Sequence, residues 1–217
     1  MKVALITGGS RGIGKAIALE LAKNGYKTAI TGRDKAQLDT VVSEIEMAGQ
    51  EGLAIPVDLA DRDAPESIIG QVKKYFGQLD ILVNCAGVTL AGSFTEISVE
   101  EWDYVFAVNV RAPFFLCKES LPLLKNSKKP IIINIAAVVG FKGYIHQSAY
   151  ASSKHALTGF TKVLAKEVQP FGIRVHLISP GGVATEMVTK VRPDINPEEL
   201  IQPEEIAEII RYIVNHN

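Results

Sequence analysis

Apolar runs of strand length recur along this chain, separated by segments in which apolar residues return every three or four positions. Taken together, the runs at 3–6, 28–31, 53–57, 81–83, 131–135 and 175–178 are rich in Val, Ile and Leu on both faces. That pattern predicts parallel strands buried on both faces. The intervening segments near 13–23, 35–48, 62–76, 99–125 and 150–168 predict helices, with a last helix at 203–214. Asn24-Gly25 is a stop signal for the first helix, and Asp34 with Gln37 is a capping-box pattern opening the second. Strands alternating with helices predict one doubly wound (Rossmann) α/β domain over residues 1–217, a parallel sheet flanked by helices. Ligands of such sheets sit at the carboxyl ends of the strands, around the switch point. The segment 185–203, with Pro193, Pro197 and Pro203, breaks the periodicity and predicts an irregular, mobile loop.

Composition narrows the classes. The 217 residues are 47% hydrophobic and 22% charged, with 23 basic and 24 acidic side chains giving a net charge of −1. Nothing there favours nucleic acid or an anionic membrane as a partner. Cys85 and Cys117 lie in apolar surroundings far apart in sequence and are expected to be reduced thiols. The histidines at 146, 155, 176 and 216 have no ligand spacing, so no metal is expected. The opening run "KVALITGG" is too short for a signal-peptide core, and no run approaches the ~20 residues of a membrane span. A cytoplasmic location is the resulting expectation.

The first strand leads into "TGGSRGIG", Thr7 to Gly14. Glycines at 8, 12 and 14 let the backbone turn sharply and approach a pyrophosphate, and the helix that follows points its free N–H groups at the anion. The spacing is G-x-x-x-G-x-G rather than G-x-G-x-x-G, so the usual dinucleotide fingerprint is not strictly met. The second strand ends in "TGRD", with Gly32 and Arg33 where an NAD site usually places an acid for the ribose 2′-hydroxyl. Arg33 and Arg11 suit a 2′-phosphate, which favours NADP(H) over NAD(H). Asp34 has a sufficient role as a helix N-cap.

Together, "TGGSRGIG", "VDL" with Asp58, "NCAG" at 84–87, Asn109 in "VNV", "YASSK" and "SPGGVATEM" resemble the short-chain dehydrogenase/reductase family, from Thr7 to about Thr185. The resemblance implies an NADP(H)-dependent oxidoreductase interconverting a ketone and a secondary alcohol. Tyr150 would be its general acid/base, Lys154 would lower the tyrosine pKa from its usual ~10 and bind the nicotinamide ribose, and Asn109 would anchor a water leading from Lys154 to solvent. It further places Gly8, Ser10, Arg11, Gly12, Ile13, Gly14 and Arg33 on the cofactor. Asp58 and Leu59 would approach the adenine. Asn84, Ala86 and Gly87 would line the cofactor path, and Pro180, Gly181, Val183 and Thr185 would meet the nicotinamide amide and the phosphates. Positions i and i+4 share a helix face, so the Lys154 charge is expected beside the Tyr150 hydroxyl.

Two positions depart from the family. Thirteen residues before Tyr150 the family has a serine whose hydroxyl binds the substrate oxygen; here that position is Ala137, and Ala136 offers no hydroxyl either. Losing one oxyanion-type donor is worth on the order of 3 kcal/mol, or roughly 10²–10³ in rate. Three accounts fit: an active-site variant of a reductase, a natural reductase whose donor is His146, Gln147 or Ser148, or an NADP-binding protein with little turnover. Second, family members commonly follow the last helix with a seventh strand, and this chain ends in "RYIVNHN". A six-stranded domain and a homodimer through helices 99–125 and 150–168 are expected, with a tetramer as the alternative. That ending also weakens the specific reading as a 3-oxoacyl carrier-protein reductase, which stays the best named alternative. The substrate itself is left open, to be set by residues 89–95 and 139–147 and by Met187, Val188, Lys190, Val191 and Arg192 after Thr185.

Overall fold

The computed structural model describes residues 2–191 and 194–216. Six strands form one parallel sheet: β1 (Lys2–Ile6), β2 (Tyr26–Gly32), β3 (Gly52–Pro56), β4 (Ile81–Asn84), β5 (Ile131–Ile135) and β6 (Arg174–Ile178). Their order is β3-β2-β1-β4-β5-β6, the doubly wound arrangement with its switch point between β1 and β4. Pairings such as Leu5 with Leu82 and Ile133 with His176 fix the register.

Period-2 alternation divides the buried side chains between two layers. Ala4 and Ile6 of β1 face a cluster with Ile17, Leu21, Ile30, Val83, Ile133, Ile206 and Ile210. This layer is covered by α1 (Gly12–Lys23), α2 (Lys35–Met47) and α8 (Pro203–Asn215). Val3 and Leu5 face the opposite cluster with Ile68, Val72, Leu82, Leu116, Ile132 and Leu164. That side is covered by α3 (Ala64–Phe76), α4 (Val99–Phe106), α5 (Ala112–Leu124) and α6 (Ser148–Glu167). With apolar layers on both faces, strands rich in Val, Ile and Leu are what burial selects.

The stop signal acts as expected, and of the capping box the Asp34 N-cap bond is formed. Asn24 caps α1 and Gly25 follows at φ +86°, while the Asp34 side chain accepts the amide of Gln37 at 3.1 Å. Two expectations need correction. The helix expected at 99–125 is continuous but not uniform: residues Ala107–Arg111 form a π turn between α4 and α5, in which the Ala112 amide reaches back to the Ala107 carbonyl. The segment after Thr185 is not irregular throughout. It contains α7 (Glu186–Val191) and a 3₁₀ turn at Pro197–Glu199, and a parallel bridge joins Val183 to Ile201. Of the residues expected to choose the substrate, Arg192 and the side chains of Lys190 and Val191 lie outside the described residues, as does Pro193.

Candidate active site

At the carboxyl ends of β1 and β4 the chain leaves the sheet in opposite directions, and a cleft of about 730 Å³ opens between the exits. The Thr7 hydroxyl ties the exits together by accepting the backbone amides of Cys85 and Ala86, each at 3.0 Å. Above it the turn is as tight as the glycines allow. Gly8 sits at φ +69°, and a Cβ there would come within 2.9 Å of the Ala86 Cα. A Cβ on Gly14 would stand 2.2 Å from the Gly8 carbonyl oxygen. These glycines bring backbone amides and the start of α1 to the cleft floor, a cradle suited to an anion.

Gly8, Ser10, Arg11, Gly12, Ile13 and Gly14 all line the cleft, as do Arg33, Asp58 and Leu59. Ala86 and Gly87 form the wall from β4, and Pro180, Gly181, Val183 and Thr185 the wall beyond β6. Tyr150, Lys154 and Ala137 line it together with Ile135. The donor set fits a dinucleotide phosphate carrying an extra anionic group. Glycines 8, 12 and 14 and two guanidiniums, Arg11 and Arg33, share the lining of the same cleft.

Asn84 and Asn109, both expected at the site, do not line the cleft. Asn84 is buried behind the wall, where its amide donates to Asn134 Oδ1 at 2.8 Å and contacts Cys117 Sγ. Asn134 in turn donates to Thr161 on α6, so the pair locks β4 and β5 to that helix. Asn109 lies in the π turn. Its Oδ1 accepts the Val88 amide at 2.8 Å, while its Nδ2 donates to the Val88 carbonyl and to Ser153 Oγ. It clamps the β4 exit to α6 rather than presenting a free polar group.

Tyr150 and Lys154 do not meet as their spacing suggested. Lys154 Nζ donates to the Ile135 carbonyl at 2.9 Å and lies 5.8 Å from the Tyr150 ring centroid. Burial pushes the lysine down to about 8 and the tyrosine up to about 12. Neighbouring Cys85, a thiol pushed up to about 12 by burial, is uncharged at neutral pH. Among the described residues the Tyr150 hydroxyl has no hydrogen-bonding partner. Ala137, also in the cleft lining, stands in extended backbone at φ −171° before a 3₁₀ turn at Val138–Gly140. His146, Gln147 and Ser148 do not line the cleft, whereas Thr89 does. His146 takes φ +63° and offers its carbonyl to the Gly92 amide at 3.0 Å, which ties the loop before α6 to the loop after β4.

Sequence reasoning missed two polar residues that line the cleft, Glu186 and Tyr104, and the bracing role of Thr7 behind it. Thr7 was legible only as part of the glycine motif. Glu186, which pairs with Arg11 at 2.7 Å, stood in a segment without periodicity. Tyr104 reads as an ordinary half-exposed helical residue, and only the fold brings it to Arg33.

Comparison with known proteins agrees with this geometry. The family model described as short chain dehydrogenase matches residues 2–196. The 3-oxoacyl-[acyl-carrier-protein] reductase FabG of Staphylococcus aureus is 35% identical over 202 residues, covering 93% of this chain and 82% of the relative. The 3-oxoacyl-[acyl-carrier-protein] reductase of Synechocystis is 35% identical over 222 residues, covering 98% and 88%. A metagenomic short-chain oxidoreductase solved with NADP superposes with a TM-score of 0.87 at 33% identity, over 100% of this chain and 91% of that one. An alcohol dehydrogenase of Thermococcus sibiricus, solved with 5-hydroxy-NADP, gives 0.92 at 29% identity, over 100% and 92%. With the sheet order, the glycine turn and the Tyr150–Lys154 pair in one cleft, the chain belongs to the short-chain dehydrogenase/reductase family of oxidoreductases.

Proposed function

We propose that this oxidoreductase interconverts a ketone and a secondary alcohol with NADP(H), Tyr150 acting as general acid/base and Ala137 standing where the family has its serine. The observation that carries the reading is the continuity of one cleft, from the guanidiniums of Arg11 and Arg33, past the glycine turn, to Lys154 and Tyr150. The dinucleotide would be held by the residues of that wall, and when bound it supplies or accepts hydride. The chain's own residues do the rest. Tyr150, raised to about 12 by burial, is protonated at neutral pH, the form that donates to a carbonyl oxygen in the reduction direction. Lys154, fixed by the Ile135 carbonyl, keeps a cation at the base of the cleft. Asn109 and Asn84 act from behind the wall, holding α6 and its two reactive side chains against β4 and β5.

Ala137 gives the substrate oxygen no hydroxyl. The account in which another side chain supplies the donor turns to Thr89, since it lines the cleft and His146, Gln147 and Ser148 do not. The curated relatives' names support a 3-oxoacyl thioester as the carbonyl substrate. The experiment is NADPH oxidation against a panel of ketones and 3-oxoacyl thioesters, run on this chain and on Ala137→Ser in parallel. Turnover by both, with the serine form faster by roughly 10²–10³, is the expected result. Equal rates would mean that another donor has replaced the serine. No turnover by either form, with NADPH still bound, would favour a binding or sensing protein over an enzyme.

A further inference from the structure

The two guanidiniums of the cleft are held by different chemistry. Arg11 is paired with the carboxylate of Glu186, which offsets its charge locally. Arg33, just beyond β2, reaches across the mouth of the cleft to α4, where its Nη1 donates to the Tyr104 hydroxyl oxygen at 3.0 Å. Among the described residues Arg33 forms no ion pair, and the neighbouring Asp34 carboxylate bonds the Gln37 amide instead. A phenol oxygen is a neutral acceptor. It fixes the direction of one N–H of the fork, cancels none of the positive charge, and leaves the remaining N–H groups free for an anion.

Tyr104 is itself well placed to aim another group. Its ring packs against the buried cluster containing Leu116 and Leu59. The helix carrying it is anchored by a full capping box, Ser98 accepting the Glu101 amide at 3.1 Å and Glu101 accepting the Ser98 amide at 3.0 Å. An exposed arginine would otherwise sample many rotamers and lose that freedom on meeting its ligand. Held by Tyr104, it is ordered before the ligand arrives.

We infer that Tyr104 is a positioning residue for dinucleotide selectivity, aiming Arg33 at the 2′-phosphate of the adenosine ribose. The preference for NADP(H) then belongs to the Arg33–Tyr104 pair and not to Arg33 alone. This rests on the NADP(H) reading above, and the test separates the two.

Dissociation constants for NADPH and NADH, read by nicotinamide fluorescence without substrate, are compared for the unaltered chain, Tyr104→Phe, Arg33→Ala and the double variant. Phenylalanine keeps the ring and its packing, so the variant folds. The expected result is NADPH weakened about three- to tenfold by Tyr104→Phe, with NADH changed by less than about twofold. Arg33→Ala weakens NADPH further, and the double variant matches Arg33→Ala, because the hydroxyl then has nothing to aim. Equal losses for both dinucleotides would overturn the inference, since packing and not phosphate recognition would be at work. Additive losses in the double variant would also overturn it. If the unaltered chain binds NADH as tightly as NADPH, the cofactor reading fails first and this inference with it.

Discussion

Lys154 gives its ammonium to the backbone carbonyl of Ile135 at 2.9 Å, and the same nitrogen stands 5.8 Å from the centroid of the Tyr150 ring. The lysine is therefore tied to the end of β5 rather than to the phenol one helical turn before it. Burial moves the two groups apart, the lysine down to about 8 and the tyrosine up to about 12, so both lean toward their neutral forms.

Removing the phenol oxygen isolates its chemical role. Tyr150→Phe is expected to lose at least about 10² in NADPH-dependent carbonyl reduction while keeping NADPH affinity within about twofold. Steady-state rates together with fluorescence titration check this. A variant that keeps its rate would remove Tyr150 from the mechanism.

The lysine shift has a stability signature with a defined sign. Between about pH 8 and its ordinary 10.5, the unfolded chain holds a proton that folded Lys154 has released, so stability rises with pH through that window. Below it the burial penalty is present in full. Tyr150 works the other way: between its ordinary 10 and about 12 the unfolded chain has lost a proton the folded chain keeps, and stability falls. Urea midpoints of the unaltered chain and Lys154→Met, taken from pH 7 to pH 10, should show the methionine variant relatively favoured at pH 7 and losing that advantage toward pH 10. A difference that stays flat across the series would contradict the shift.

The glycine turn is tight for two separate reasons, the positive φ of Gly8 (+69°) and the crowding at Gly14. Gly14 has ordinary dihedrals, but a Cβ there would lie 2.2 Å from the Gly8 carbonyl oxygen, a backbone atom that cannot swing aside. Gly14→Ala is expected to destabilise the fold by about 1–3 kcal/mol or more and to abolish dinucleotide binding. Thermal melting and NADPH titration measure both. An alanine variant that binds normally would show that the turn can open.

Phe115 and Val163, on α5 and α6, are exposed at 39% and 54%, and Phe114 packs on Phe160 at 4.9 Å between them. Light scattering is expected to give twice the chain mass, and Phe115→Glu to give a monomer, as a charge forced into an apolar contact would. A monomeric unaltered chain would end the idea.

The sheet was readable because each strand is an apolar run bounded by polar or glycine residues, and β5 at 131–135 came out to the residue. β2 begins two residues earlier than its pattern, at Tyr26, because Tyr26 is buried against the core on one side of a polar Lys27. The glycine motif and the Tyr150–Lys154 pair were legible for the same reason: local spacing is all they need. What escaped depended on distance. The spacing of Tyr150 and Lys154 says nothing of the Ile135 carbonyl 19 residues upstream, which takes the ammonium. The spacing of Asn109 and Asn84 likewise says nothing of the tertiary hydrogen bonds to Ser153, Val88 and Asn134 that hold them behind the wall. α7 escaped because six residues ahead of a proline carry too short a period to register.

The π turn at Ala107–Arg111 makes α4 and α5 a single rod with one residue more than an α-helix of its length would hold. Each residue of an α-helix advances the azimuth by about 100°, so that extra residue is a dial. Deleting it would leave both halves helical yet turn Phe114 and Phe115 about a quarter-turn against Tyr104. Reading frame within one helix thus keeps two distant surfaces in phase, the cleft mouth and the aromatic face. A lineage could retune one against the other by a single codon gained or lost.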